Sequence, residues 1–334
     1  LRSFRCSYKG KTKNLLLAFA FICGASGCAT PQVSGVASGS DEEVLKLFLQ
    51  AQSLSQEGRL EEAVAKYREV IRSSQSLAPS ARLRIGIVVE NQLDSQLSSR
   101  RIRERLIPAG DSFLDLELDL HWSSAIRAYS EVFTNHPGTH EAAVALYRMG
   151  LIYMDRVGDY PKATLYFKDI VGAYRNDELA AAAQFKIGEI YYRNSDFEEA
   201  LKELVNIRLR HPESPLAERA DKMVKFIRGF SSENRPALSS YAEAEESYRR
   251  ARYTLAASLY DEALGKLSGD KSGNKELRDF AEELAYYSGE SYYRSGDIER
   301  ASDRFKSYLD SYPDGRFKSE ASLRIADINH AHKR

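Results

Sequence analysis

Six residues, Gly188, Tyr191, Ala200, Leu204, Ile207 and Pro212, recur 101 positions later as Gly289, Tyr292, Ala301, Phe305, Tyr308 and Pro313. Every interval is kept, so the pattern is a repeat, and a chain of repeats folds as an array in which each unit covers its neighbour. Within each copy the apolar residues fall three and four apart on both sides of a short turn. That spacing predicts two amphipathic helices. The turns are Asn194-Ser195-Asp196 and Ser295-Gly296-Asp297. The closing proline ends the second helix because it has no N–H to donate. One small residue in each helix (Gly188 and Ala200, or Gly289 and Ala301) lets the two backbones approach. Larger side chains, Tyr191 and Leu204 or Tyr292 and Phe305, fill the space beside them.

Looser copies extend the array in both directions. Ala51, Gly58, Ala63, Tyr67 and Val70 keep the intervals in a first copy over about 42–75. Gly86 belongs to a second, whose other helix is expected at Ser124–Asn135 with Ala125, Tyr129 and Val132. A third has Gly150, Tyr153, Ala163, Phe167 and Val171, with one residue inserted before Gly158. Ala244, Ala251, Ala256, Tyr260 and Ala263 mark the fifth. This small–large pattern resembles the tetratricopeptide repeat, which implies an all-α fold. The expectation is a right-handed α-solenoid of about six helix pairs with a C-terminal capping helix near 317–330. The predicted organisation is a signal segment 1–28, a flexible tether 29–40, a first array 41–229, a junction 230–236 and a second array 237–332. Within the first array an insertion spans about 94–121. Ser40 or Asp41 is expected to cap the first helix. Leu216–Gly229 reads as a further helix with no partner after it.

The N-terminal segment reads as an address. Arg2, Arg5, Lys9, Lys11 and Lys13 precede the apolar run Leu15–Cys23, which is too short to span a bilayer. Ala25-Ser26-Gly27-Cys28 resembles a bacterial lipobox, which implies acylation of Cys28. An ordinary secretory peptide cut nearby is the alternative. Ala29 after the cysteine implies the outer membrane, facing the periplasm. The three cysteines are Cys6, Cys23 and Cys28, so the body contains no disulfide and must be held by its core. Without the five leading cations the chain carries 43 basic against 48 acidic residues. A mildly acidic body argues against nucleic acid as a ligand.

No pattern for chemistry stands out. Pro137-Gly138 between His136 and His140 prevents a helical metal face. Glu198-Glu199, Glu245-Glu246 and Glu282-Glu283 lie beside basic residues and read as solvated faces. No metal, cofactor or small-molecule substrate is expected, nor enzymatic activity. The informative surface belongs to the first helices. Tyr147, Phe185, Tyr241 and Tyr286 stand three before the small residue, and Met154, Tyr192, Tyr248 and Tyr293 stand four after it. Glu189, Glu245 and Glu290 follow the small residue directly, each four before Arg193, Arg249 or Arg294, a spacing that pairs charges on a helix. The expected result is an aromatic ladder flanked by paired charges, either a peptide-binding groove or packing between repeats. Repeats that clamp a C-terminal carboxylate use lysine and asparagine at these places, so the resemblance implies a different ligand. In the insertion, Leu114–Leu120 alternates apolar and acidic like a strand, whereas Leu114, Leu118 and Trp122 share a helical face. Both readings stand, and an enzyme site, if any, would be sought there.

Lipobox, short tether and units closing on His-Pro or Tyr-Pro resemble the BamD-like lipoproteins of β-barrel assembly. They are also similar to CpoB-like envelope lipoproteins and to pilotins. The long insertion and the sixth repeat depart from the compact five-repeat BamD pattern. What these resemblances imply is a scaffold whose partners are envelope proteins or peptides, tied to the membrane through its N-terminal lipid.

Overall fold

The computed structural model describes residues 39–98, 111–267 and 275–331, with side chains at 41–95, 122–267 and 275–330. Cys28, the signal segment and tether residues 29–38 lie outside the described residues, as do 99–110 of the insertion. The described chain is all-α, built from consecutive helix pairs on the plan of an α-solenoid, and no strand occurs among the described residues.

Packing divides the chain into compact units at 1–183 and 184–334. The first holds α1 (Gly39–Gln56), α2 (Leu60–Ser73), α3 (Ala78–Ser98), α4 (Asp111–Asn135), α5 (His140–Leu151), a π-helical turn at Ile152–Val157 and α6 (Tyr160–Ala173). The division falls inside α7 (Leu179–Arg193). The second unit continues with α8 (Phe197–Arg210), α9 (Pro215–Arg228), α10 (Arg235–Arg249), α11 (Tyr253–Leu267), α12 (Lys275–Ser295), α13 (Ile298–Ser311) and α14 (Lys318–Ala331). The junction expected at 230–236 lies within this second unit, between α9 and the first turn of α10. Two ion pairs reach past that junction: Arg235 Nη1 lies 3.1 Å from Glu198 and Arg193 Nη1 lies 3.9 Å from Glu246. Phe230 is buried and packs edge-on against Phe226 and Phe280, at 5.3 and 5.0 Å between ring centroids. The junction is a folded corner.

The first helix runs over Gly39–Gln56, with Asp41 and Glu42 in its first turn. Both acids suit the positive end of the helix dipole there. The second helix of repeat 2, expected from Ser124, is the last part of the 25-residue α4. The backbone is helical from Asp111 onward, so the strand reading of Leu114–Leu120 is overturned.

The small–large pattern packs as the spacing predicts. In the first repeat Ala63, Tyr67 and Val70 of α2 are buried against Val44, Phe48 and Ala51 of α1 and Leu77, Ala81 and Val88 of α3. At the third repeat, a Cβ added to Gly150 would lie 2.6 Å from Cε1 of Phe167, closer than real contacts allow. The same fit recurs at Gly289 on Phe305, at 2.9 Å. A first-helix glycine thus receives the large residue of its own second helix.

The turns between paired helices repeat in backbone detail. Gly58, Ser195, Ala251 and Gly296 take φ of 80°, 63°, 58° and 85°. The next residue donates back to the carbonyl five before it in each case, as Asp196 N to Tyr191 O at 2.8 Å and Arg252 N to Ser247 O at 2.9 Å. This is the left-handed helix end that favours glycine. The third repeat has one residue too many, and its chain widens into the π-turn at Ile152–Val157, so that Gly158, at φ 86°, takes the left-handed place. Gly150 and Ala163 keep their packing positions despite the insertion.

Two of these turns carry a side chain where glycine fits best. A left-handed residue other than glycine costs roughly 1–2 kcal/mol, partly offset by the backbone freedom glycine loses on folding. Ala251→Gly is expected to raise stability by up to about 1 kcal/mol. Gly296→Ala should lower it by a similar amount, because a Cβ there meets no atom within 4 Å and only the backbone responds. Thermal melts of the two variants check this by sign.

Candidate partner-binding surface

Seen from the second unit, the aromatic residues expected to form one ladder fall into two sets. Phe185, Tyr241 and Tyr286 are buried, as is Tyr147 in the first unit, and they are packing residues. Tyr147 lies 5.5 Å from Phe167 between centroids, Tyr241 lies 6.2 Å from Tyr260 and Tyr286 lies 6.0 Å from Phe305. The reason is helical geometry: three residues before the small residue is the same stripe, one turn away, and that stripe faces the second helix. Met154 is buried as well. Tyr192, Tyr248 and Tyr293 lie on the edge of the packed stripe and remain half-buried.

The charged pairs also divide. Glu290 and Arg294 close as predicted, with Arg294 Nε donating to Glu290 Oε1 at 2.8 Å. Arg249 turns instead to Glu246, at 2.5 Å from Nη2, because the Glu245 carboxylate accepts from the Tyr260 hydroxyl at 2.6 Å. Glu189 accepts from Lys186 Nζ at 2.7 Å. Burial works against ionisation of Glu189, but Lys186, Arg193 and Arg219 outweigh it and lower its pKa to about 2. Burial pushes the Tyr192 phenol well above its usual range, helped by Glu245 and Glu283 and opposed by Arg249.

Sequence reasoning missed the residues that join one first helix to the next. Arg219 of α9 stacks over the Phe185 ring at 4.7 Å and reaches Glu189 at 4.0 Å. Arg324 of α14 repeats this arrangement, 4.6 Å over the Tyr293 ring with Nε donating to Glu290 at 2.9 Å. Both closing helices thus seal a repeat with an arginine. The one available signal was Ser322-Leu323-Arg324-Ile325-Ala326, where Arg324 stands two before a small residue just as Lys186 does. Arg294 itself lies 5.3 Å from the Tyr248 ring and 5.8 Å from that of Tyr253. Aromatic rings and arginines therefore pair along this face, Phe185 with Arg219, Tyr248 with Arg294 and Tyr293 with Arg324.

Residues 147–210 and 283–315 match the family described as tetratricopeptide repeat. The chain carries tetratricopeptide repeats. Among solved structures, a tetratricopeptide repeat protein from Parabacteroides merdae is 14% identical, with a TM-score of 0.41 over 86% of this chain and 99% of that one. The tetratricopeptide domain of P58(IPK) is 16% identical, with a TM-score of 0.25 over 87% of this chain and 89% of that one. No curated protein matches the chain.

Beyond the tetratricopeptide units, the described residues contain no group of three or more metal-ligating side chains. His140 Nδ1 lies 2.8 Å from Asp177 Oδ2, a pair that raises the imidazole pKa. Asp177 also accepts from the Leu179 amide at 2.9 Å, so it ties the start of α7 to the start of α5. No helix among the described residues is long and apolar enough to cross a membrane. The insertion's side chains from 96 to 121 lie outside the described residues, and with them the enzyme site sought there.

Proposed function

We propose that this protein is a lipid-anchored scaffold of the periplasm that holds envelope proteins at the outer membrane through the first-helix face of its tetratricopeptide repeats. The observation that carries the reading is the strip of half-buried tyrosines and partly exposed arginines on α7, α10, α12 and α14. Their rings and guanidinium groups are held by neighbours, so little side-chain entropy is lost when a partner covers them. Membrane attachment rests on the lipobox sequence at Cys28, where two or three acyl chains give a firm anchor at about 0.8 kcal/mol per buried methylene. A BamD-like role in β-barrel assembly is the specific form favoured by lipobox, tether and proline-closed units together. A CpoB-like or pilotin role would use the same face.

The test is photocrosslinking in cells of a bacterium with two membranes. With p-benzoylphenylalanine in place of Tyr248, crosslinks to one or a few envelope proteins are expected in the outer-membrane fraction. Cys28→Ser should release the protein from that fraction. Absence of any crosslink at residue 248 would sink the scaffold reading, and unchanged fractionation of the Cys28 variant would sink the anchor.

A further inference from the structure

The charges on the first-helix face differ in access. Glu189, Glu246 and Glu290 expose 19%, 19% and 5% of their side chains. Of the arginines that pair with them, Arg219, Arg249, Arg294 and Arg324 expose 44%, 42%, 40% and 30%, whereas Arg250 exposes 27% and Arg193 only 10%. Each carboxylate is spent on partners from two elements or two turns. Glu246, for example, is bound by Arg249 and by Arg250 at 2.6 Å from Nε, with Arg193 3.9 Å away. Arg219, Arg249, Arg294 and Arg324 are each partly exposed. A partner arriving at this face meets guanidinium groups and tyrosine rings, with Glu189, Glu246 and Glu290 behind them and the more exposed Asp327 at 3.9 Å from Arg324.

We propose that this face takes an acidic, aromatic-containing segment of another protein, a stretch in which Asp or Glu alternates with Phe or Tyr. The proposal rests on the scaffold reading above and names the chemistry of the partner. A guanidinium presents several donors in a plane and binds carboxylate oxygens two at a time. Arginine clusters are the usual receptors for acidic motifs, and desolvation against the flanking rings strengthens each contact. A basic segment would meet the same arginines with like charge and would find the carboxylates already occupied. The selection comes from exposure: the first helices alone suggest a neutral, self-paired surface.

Fluorescence anisotropy on the full chain in detergent micelles tests this with three labelled twelve-residue peptides. One alternates Glu with Phe and Tyr, one replaces each Glu with Lys, and one replaces each with Gln. The acidic probe is expected to bind at least about tenfold more tightly than the lysine copy, with affinity falling as salt rises. Arg249→Gln should weaken the acidic probe several-fold and leave the melting curve near wild type, because Glu246 keeps Arg250 and Arg193. Equal or stronger binding of the lysine copy overturns the proposal, as does acidic binding indifferent to Arg249→Gln. Crosslinks at residue 248 together with no binding of any probe would overturn the acidic class and leave the scaffold standing. No crosslinks at all would remove the scaffold itself.

Discussion

Gly150→Ala is expected to destabilise the protein by about 1–3 kcal/mol, whereas Gly172→Ala should be neutral or stabilising by up to about 1 kcal/mol. Both glycines are helical, and propensity alone predicts a gain from alanine at each. The difference is what the new methyl meets. At Gly150 it would lie 2.6 Å from Cε1 and 2.7 Å from Cζ of Phe167, a ring with no exposed surface. At Gly172 it meets nothing within 4 Å. Urea melts of the two variants give opposite signs if the glycine is a receptor for the aromatic ring. Phe167→Leu should recover part of the Gly150→Ala loss, since contacting sites do not add. Two losses that simply sum would mean that Gly150 serves the backbone and not the ring.

That glycine shows how much of the fold could be read in advance. Six positions kept at constant offset specify two helices, the turn between them and which residues meet. Ala63, Tyr67, Val70, Phe167 and Phe305 are buried where the pattern puts them. The extra residue before Gly158 was visible as a miscount, but counting cannot say whether a helix widens or a turn lengthens. The chain widened the helix into a π-turn, because that keeps both Gly150 and Ala163 in contact with their partners.

The binding face was less legible, for reasons that lie in geometry. Tyr147, Phe185, Tyr241 and Tyr286 could be read either as ligand contacts or as packing, because aromatic residues at regular spacing suit both a groove and a core. Their place on the glycine stripe sends them inward. The charge pairs were legible only in part, for another reason. Spacing along one helix exposes only partners three or four residues apart, and Glu290 meets Arg324 from 34 positions away. Glu245 was lost to the Tyr260 hydroxyl, a contact that needs the second helix in place. A face built from side chains of several helices cannot be read from any one of them.

The last expectation separates the two halves of such a contact. Replacing both Arg294 and Arg324 with methionine should cost about 3–5 kcal/mol, and replacing Glu290 with methionine only about 1–2 kcal/mol. Glu290 sits with 5% of its side chain exposed, between Arg294 at 2.8 Å and Arg324 at 2.9 Å. Without the arginines it is a buried charge with neither water nor cation to replace them. Without Glu290 the arginines still lie against tyrosine rings, Arg294 on Tyr248 and Arg324 on Tyr293, and both reach solvent. Rehydration then limits the loss. Hydrogen exchange of α14 and denaturant melts measure the two costs, and a Glu290→Met loss exceeding that of the double arginine variant would contradict the unequal exposure. The same inequality governs binding: removing the buried acid should leave the acidic probe bound at least as tightly as in the wild type, since it is the arginines that a partner can reach.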